Sequence, residues 1–485
     1  MCGIVGIWNK NYKKSLKLAL IAAGGVQHRG QNGAGVVLKT KKELIKYVGD
    51  GLLKEVFKEG INNGLDYKCR WIMVHCRYGT NGNYDGDNLQ PCVTKTKDGA
   101  EVCLVHNGEF VAIKKPNKKI SDTPVFTQML SEAKGKNWNE KILNTLDKVN
   151  GAYSLIIGIK NDLYLARDKF GFKPLILGQT KDGWVVASET HALDKIGIET
   201  IRQLKRGEVI KISSKGLTVL REGLNSNGNF CDFEWAYFCR PDSMLPTREK
   251  DNDENKPDEW LSIGGFRERC GEIISEENPI KADFVVGVPD SGVAVATGYA
   301  KNLKLPYRQV IIRDHFDPNG DKRLFLGDSE MKSLSDKVLG KLCLVPDKKI
   351  WKDKVVVIGD DSLVRGTVSK KITNAIFKMG AKEVHWVIGF PPVKHPCHLG
   401  VSIRSEKELI AFKFDGDSKK IANEIGATSV NYISNKGFLM SRHVENKMIS
   451  GEDLKEIYLK NGGCGGCLTG LWPIDKKGRI KVENV

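Results

Sequence analysis

Cys2-Gly3-Ile4-Val5-Gly6-Ile7 follows directly on the first methionine of a 485-residue chain, and its reading decides how the N-terminal half is built. Removal of that one Met makes the thiol-bearing residue the new chain end. The same residue then offers a nucleophile and a free α-amine whose pKa, about 7.7–8.0, is close enough to neutrality for proton exchange. The Ile4/Val5/Ile7 run predicts a strand that anchors this end, and Gly3 leaves the approach to the cysteine open. Taken alone, a cysteine at position two reads equally well as an ordinary small residue.

Four further stretches follow in order: Gln27-His28-Arg29-Gly30-Gln31-Asn32-Gly33-Ala34-Gly35, His75-Cys76-Arg77-Tyr78-Gly79-Thr80, Val105-His106-Asn107-Gly108-Glu109 and Ser121-Asp122-Thr123. With Cys2 in front, this series resembles the glutaminase domain of the class II, N-terminal-nucleophile glutamine amidotransferases. Through about residue 215 the text consists of short β-branched and aromatic runs (71–75, 102–106, 152–159, 163–166, 184–187, 208–212) between Gly, Asn and Asp turns. That spacing predicts stacked antiparallel sheets with a few helices, among them 15–24 and 123–133. Residues 241–257 are rich in Asp, Glu, Lys, Asn and Pro and read as an exposed connection. The expected division is therefore 2–237, a linker or insertion at 238–262, and 263–485.

Past the linker the pattern changes to buried-strand runs alternating with helical stretches: 284–288 then 292–303, 307–312, 355–358 then 369–379, and 384–388. This predicts a doubly wound parallel α/β sheet. Val355-Val356-Val357-Ile358-Gly359-Asp360-Asp361-Ser362-Leu363-Val364-Arg365-Gly366-Thr367-Val368-Ser369 delivers two adjacent carboxylates to the end of a strand, then a turn that opens a helix. Backbone amides at that helix start, with the Thr367 and Ser369 hydroxyls, suit a phosphate. Asp360 and Asp361 suit ribose hydroxyls and Mg²⁺. The string resembles the phosphoribosyl-pyrophosphate (PRPP) motif of type I phosphoribosyltransferases, and Gly287-Val288-Pro289-Asp290-Ser291-Gly292 resembles their pyrophosphate loop, with Ser291 at the position of a Mg²⁺-ligating hydroxyl.

A glutaminase fused to such a transferase resembles the amidophosphoribosyltransferase family over nearly the whole chain. The fold this implies is an α+β N-terminal-nucleophile hydrolase, antiparallel sheets stacked between helices, followed by an α/β phosphoribosyltransferase with a parallel sheet. The activity implied is ammonia transfer from glutamine to PRPP, the first step of de novo purine synthesis. Cys2 would attack the glutamine amide with its own amine as base, while Asn107 and Gly108 stabilise the oxyanion. Arg77 and Asp122 would hold the glutamine carboxylate and ammonium. Asp360, Asp361, Ser362, Arg365, Gly366, Thr367 and Ser369 would bind PRPP, with one Mg²⁺ at Ser291, Asp360 and Asp361. Ammonia would travel through an internal channel. His28 and Arg29 read as structural or gating residues. Purine nucleotides as inhibitors and a homotetramer are further implications of the family.

Twelve cysteines point to thiol chemistry or metal before disulfides in a chain expected to be cytoplasmic. Cys69, Cys76, Cys92, Cys103, Cys239, Cys270 and Cys343 are expected to pack as small hydrophobes. Cys464 and Cys467 form a CxxC pair, and with Cys231 and Cys397 they match the positions that bind a [4Fe–4S] cluster in one branch of the family. Four thiolates suit that cluster or a structural zinc, the cluster being favoured. No apolar run approaches the roughly 20 residues of a membrane span and no signal-peptide pattern opens the chain. The net charge of +17 is spread over lysine runs without interleaved aromatics, which reads as solvated faces rather than a nucleic-acid surface.

Some positions depart from the family pattern. Asn32 stands where an acidic residue is usual and Val368 where Thr is common. The loop after Arg313 is longer (314–323), and Pro346 falls where a basic residue is usual. These put PRPP-loop closure and the nucleotide site in question. Glucosamine-6-phosphate synthase shares the glutaminase half but lacks the Asp360-Asp361 motif. A catalytically silent PRPP or nucleotide sensor on the same fold is the alternative from a different class, separable by whether PRPP binding is accompanied by pyrophosphate release.

Overall fold

The computed structural model describes residues 1–58, 67–79, 88–117, 119–224, 228, 230–246, 260–313, 342–442 and 453–481. The N-terminal half contributes β1 (Gly3–Lys14), β2 (Gly33–Thr40), β3 (Leu44–Asp50), β4 (Lys68–Arg77), β5 (Cys92–Lys95), β6 (Glu101–Val111), β7 (Asn150–Ile159), β8 (Asp162–Arg167), β9 (Ile176–Thr180), β10 (Gly183–Ala187), β11 (Thr200–Gln203), β12 (Val209–Ser213) and β13 (Gly216–Arg221). They form two antiparallel sheets, ordered β11-β9-β10-β1-β4-β2-β3 and β13-β12-β8-β7-β6-β5.

Period-two alternation along β1 explains the layering. Ile4 and Trp8 point between the sheets, where they meet Trp71, Met73, Val105 and Ile156. Val5 and Ile7 point outward onto the helix Leu16–Gly24, packing with Ala19, Ala22 and Ala23. The second sheet covers its own outer face with the helices Asp122–Ser131 and Trp138–Leu146, through Phe126, Leu130, Ile142 and Leu146. The result is helix, sheet, sheet, helix, with every layer sealed by aliphatic or aromatic side chains. The expected strands all form, most of them a few residues longer than read.

In the C-terminal half β14 (Met244–Pro246) and β15 (Trp260–Ser262) pair antiparallel. A four-stranded parallel sheet follows, in the order β16 (Phe284–Gly287), β19 (Val355–Asp360), β20 (Glu383–Ile388), β21 (Ser429–Tyr432). Alternate residues again split into two cores. Val285, Val357 and Val387 face the helices Ile263–Glu277 and Gly292–Leu303, while Val286, Ile358 and Trp386 face the helix Thr367–Lys378. The expected strand 307–312 is not a member of this sheet. Tyr307 makes a single bridge to Val285, and β17 (Ile311–Arg313) pairs antiparallel with β18 (Leu342–Leu344). The long loop 314–323 lies outside the described residues. Cys343, on β18, is exposed rather than packed; Cys69, Cys76, Cys92, Cys103, Cys239 and Cys270 are buried as expected.

A π-helical turn, Glu234–Phe238, joins the halves: Phe233, Trp235 and Phe238 pack with Phe266, Phe390 and Phe438 of the second half. No described helix is long and apolar enough to cross a membrane.

Candidate active sites

Cys2 sits at the start of β1, between β4 and β10. Its backbone N–H donates to Asn107 Oδ1 at 2.9 Å, and the Tyr78 N–H approaches its Sγ at 3.5 Å. Arg29 Nε donates to the Cys2 carbonyl at 3.1 Å. Asn107 and Gly108 lie side by side on β6. Gly108 has φ of +149°, and a Cβ there would stand 1.8 Å from the Ala152 carbonyl oxygen, so only glycine lets β6 run this close to β7. Arg77 is buried at the end of β4, adjoining the Tyr78 backbone that contacts Cys2. Asp122, at the first turn of its helix, accepts from the Phe110 N–H at 2.7 Å and so is tied to the strand that carries Asn107 and Gly108. His75 and His106 are buried close by, and burial holds both imidazoles below their ordinary range.

The second site is a cavity of about 440 Å³ at the carboxyl end of the parallel sheet. Ser291, Asp360, Asp361, Ser362, Arg365, Gly366, Thr367 and Ser369 all line it. Gly366 takes φ of +77° at the cap of the helix Thr367–Lys378, which aims that helix start into the cavity. Burial, and next the charge of Asp361, holds the Asp360 carboxyl well above the usual carboxylate range. The Asp361 N–H donates to Asp360 Oδ1 at 2.9 Å and the Ser362 hydroxyl to Asp361 Oδ1 at 2.5 Å. Arg365 has its guanidinium held by Glu408, its Nε donating to Oε2 at 3.2 Å. Sequence reasoning missed Arg267, a fully buried cation on the cavity wall whose fork donates to the carbonyls of Trp235 and Cys239. Nothing around Arg267 in the sequence marks it; only the packing of its helix against Glu234–Phe238 brings it there.

His28, Gln31, Tyr237 and Arg240 line the same cavity, so both halves of the chain build it. Glu189 connects the two sites. Its Oε1 accepts from Arg29, which also holds Cys2, and meets His28 Nε2 at 2.9 Å; its Oε2 accepts from the Arg240 N–H at 2.9 Å and the Ser243 hydroxyl at 2.7 Å. A small cavity of about 30 Å³, lined by Tyr78, Phe238, Ser362, Val364 and Ile403 among others, lies between them.

The four remaining cysteines also meet. The backbones of Cys231 and Cys464 pair in a single parallel β-bridge, Cys467 is buried with Cys231 in one apolar core, and Cys397 packs against both that core and the one holding Cys464. All four thiols are free, and burial pushes each of them up. Among the described residues no three His, Cys, Asp or Glu side chains converge on a point as a single metal ion requires.

Residues 83–195 match the glutamine amidotransferase domain model. Over 98% of this chain and 94% of the relative, the sequence is 31% identical to the amidophosphoribosyltransferase of Bacillus subtilis strain 168; the Rattus norvegicus enzyme is 33% identical over 93% of this chain and 92% of its own length. The chain belongs to the amidophosphoribosyltransferase family. Its fold agrees: the B. subtilis glutamine PRPP amidotransferase solved with ADP and GMP superposes with a TM-score of 0.80 at 29% identity over 99% of each chain. A structure described as the allosteric regulatory enzyme of purine biosynthesis gives 0.82 at 30% identity, over 100% of this chain and 98% of the other. The enzyme transfers nitrogen from glutamine to PRPP, yielding 5-phosphoribosylamine, glutamate and pyrophosphate, and so opens purine synthesis. This transferase reading, rather than the silent sensor, is the one the relatives support.

Proposed function

We propose that this amidophosphoribosyltransferase works through Cys2 as nucleophile and the 440 Å³ cavity as PRPP site, coupled across the interface both halves build. The observation that carries the reading is the Cys2 N–H donating to Asn107 Oδ1 at 2.9 Å, which ties the nucleophile's residue to the strand of Asn107 and Gly108 and supports them as oxyanion donors. A Cys2 freed of Met1 passes its thiol proton to its own amine and attacks the glutamine amide carbon; that proton leaves with ammonia, and water then releases glutamate. Arg77 and Asp122 hold the amino-acid end of glutamine. Ammonia reaches PRPP past Tyr78 and Phe238, through the region of the small cavity between the sites.

At the second site the helix start at Thr367 and the Ser369 hydroxyl take the 5-phosphate, and Asp360 and Asp361 take the ribose. Mg²⁺ suits this donor set, because it binds through one or two carboxylates and the substrate's own phosphates. Its charge would reverse the upward push on Asp360. Cys231, Cys397, Cys464 and Cys467 fit a [4Fe–4S] cluster. Such a cluster would take one thiolate per iron, and four free thiols from three distant segments lie close enough to act on one another. When bound, the cluster would supply a cross-link that pins the tail to both halves. Purine nucleotides as inhibitors follow the ADP and GMP complex of the relative, and a homotetramer follows the family resemblance.

Cys2→Ala tests the scheme. Glutamine-dependent phosphoribosylamine formation should fall to background, while free ammonia at high pH still supports the transferase. Loss of both activities together in a folded protein would rule out separable sites.

A further inference from the structure

Two cations shielded from solvent flank the chain end. Arg29 reaches the Cys2 carbonyl, and its fork is neutralised by the carboxylates of Glu189 and Glu234. Lys173 comes from the other side, is 1% exposed, and places its Nζ 2.9 Å from the Met1 Sδ. A thioether is a weak acceptor without charge. Among the described residues Lys173 makes no ion pair with a carboxylate. Its backbone is fixed, since its carbonyl accepts from the Ser154 hydroxyl at 3.2 Å and from Arg167 Nε at 2.8 Å, so the ammonium is directed inward by structure. Burying a cation costs several kcal/mol; no described carboxylate is hydrogen-bonded to this one, and the charges of Cys231, Glu234 and Cys397 at longer range keep it protonated against that burial.

Five bonds separate the Met1 Sδ from the Cys2 nitrogen, which puts Nζ within about 9 Å of that nitrogen by covalent geometry. We propose that Lys173 is a positioning residue for the glutaminase half-reaction: its ammonium disfavours protonation of the Cys2 amine, leaving the amine a lone pair for the thiol proton. The inference rests on the reading of Cys2 as an N-terminal nucleophile. The other charged or titratable groups facing this end are the Cys2 thiol, Arg29, Glu234 and His75, while Cys231 and Cys397 face the Lys173 ammonium and act on it together with Glu234. Arg29 acts in the same direction but is matched by its two carboxylates, Glu234 acts in the opposite one, and buried His75 is neutral. In the chain that carries Met1, the terminal amine is already held down to about 4, first by burial; among the charges, Lys173 and Arg29 add to this against Cys2 and Glu234.

The test is the pH profile of glutamine hydrolysis for the wild type, Lys173→Met and Lys173→Arg, each shown by mass spectrometry to begin at Cys2. A unit charge at this range, through an effective dielectric of about 20, moves a titration by about one pH unit. Removing the cation lets the amine hold its proton to higher pH. The acidic limb of Lys173→Met should therefore rise by about one pH unit, an activity loss of about tenfold on that limb, with convergence on the wild type at high pH. Lys173→Arg should keep the wild-type limb. An unmoved limb in Lys173→Met, or an equal displacement in Lys173→Arg, overturns the proposal. Should Lys173→Met be inactive, the pH dependence of reductive methylation of the N-terminal amine in Lys173→Gln replaces the kinetic readout. An unchanged amine titration alongside lost iron would assign Lys173 to the cysteine pocket and reject the proposal. Glutamine-dependent turnover surviving in Cys2→Ala would instead sink the nucleophile reading beneath it.

Discussion

Gly108 shows how little freedom a single residue of the glutaminase site has. In the proposed mechanism it offers a backbone N–H to the developing oxyanion, and its would-be Cβ lies 1.8 Å from the Ala152 carbonyl oxygen. Gly108→Ala therefore pushes β6 away from β7 exactly where the donor sits, and loss of one oxyanion donor costs about 10²–10³ in turnover. The expected result is a glutamine-dependent rate lower by at least about a hundredfold, with the ammonia-dependent rate within about twofold of wild type; both are read by following pyrophosphate release. An unaffected glutamine rate would remove Gly108 from the mechanism. That Cys2 would meet Asn107 was legible in the sequence through the family resemblance of their motifs, and the contact between them agrees with it. Arg365 was legible only in part, since its partner Glu408 comes from a turn 43 residues further on. Arg267 and Lys173 were not legible: a buried cation carries no local signature, and its meaning comes from what surrounds it.

The parallel sheet and the helix Gly292–Leu303 depend on each other through two glycines. A Cβ on Gly359 would lie 2.7 Å from the Ala296 Cα, and one on Gly292 would lie 2.5 Å from the Gly359 carbonyl oxygen. The helix thus rests directly on the end of β19, beside Asp360, and it begins where the loop Val288–Ser291 delivers Ser291 to the cavity. Gly359→Val lifts the helix off the strand, an overpacking change worth about 1–3 kcal/mol. PRPP affinity, measured by calorimetry, should fall at least about tenfold; wild-type affinity would mean that the helix can move without carrying the loop with it. The strands of this sheet could be read from their buried runs, and the helices from their spacing. Residues 307–312 could not. Their Tyr, Val and Ile content favours a strand locally, but the pairing partner, Leu342–Leu344, stands about thirty residues away and lies outside the sheet.

At the scale of the whole molecule, the C-terminal tail closes the structure by meeting both halves, and a buried ion pair stands where it docks. Asp232 is fully buried next to Cys231, its carboxylate 3.1 Å from Arg442 Nη1, while Arg442 Nη2 donates to the Gly462 carbonyl at 3.4 Å. The Cys464 N–H donates to the Phe230 carbonyl at 2.9 Å, and Gly463, with φ of +94°, leaves no room for a Cβ beside Arg442 and Asp232. The CxxC spacing drew attention to the tail, but Asp232 gave no sign in the sequence that it would lie buried where the tail docks. Removing one member of a buried pair costs about 3–5 kcal/mol, because the other charge is left without its counterpart. Asp232→Asn should therefore free residues 453–481 to limited trypsin digestion. With the proposed cluster bound, it should also speed the loss of iron from protein prepared without oxygen, followed by absorbance near about 400 nm. Replacing both members by apolar residues, Asp232→Leu with Arg442→Met, removes the stranded charge and should restore protease resistance and iron retention. If Asp232→Asn alone leaves the tail protected and the iron in place, the cysteines hold the tail by themselves and the ion pair is incidental to its docking.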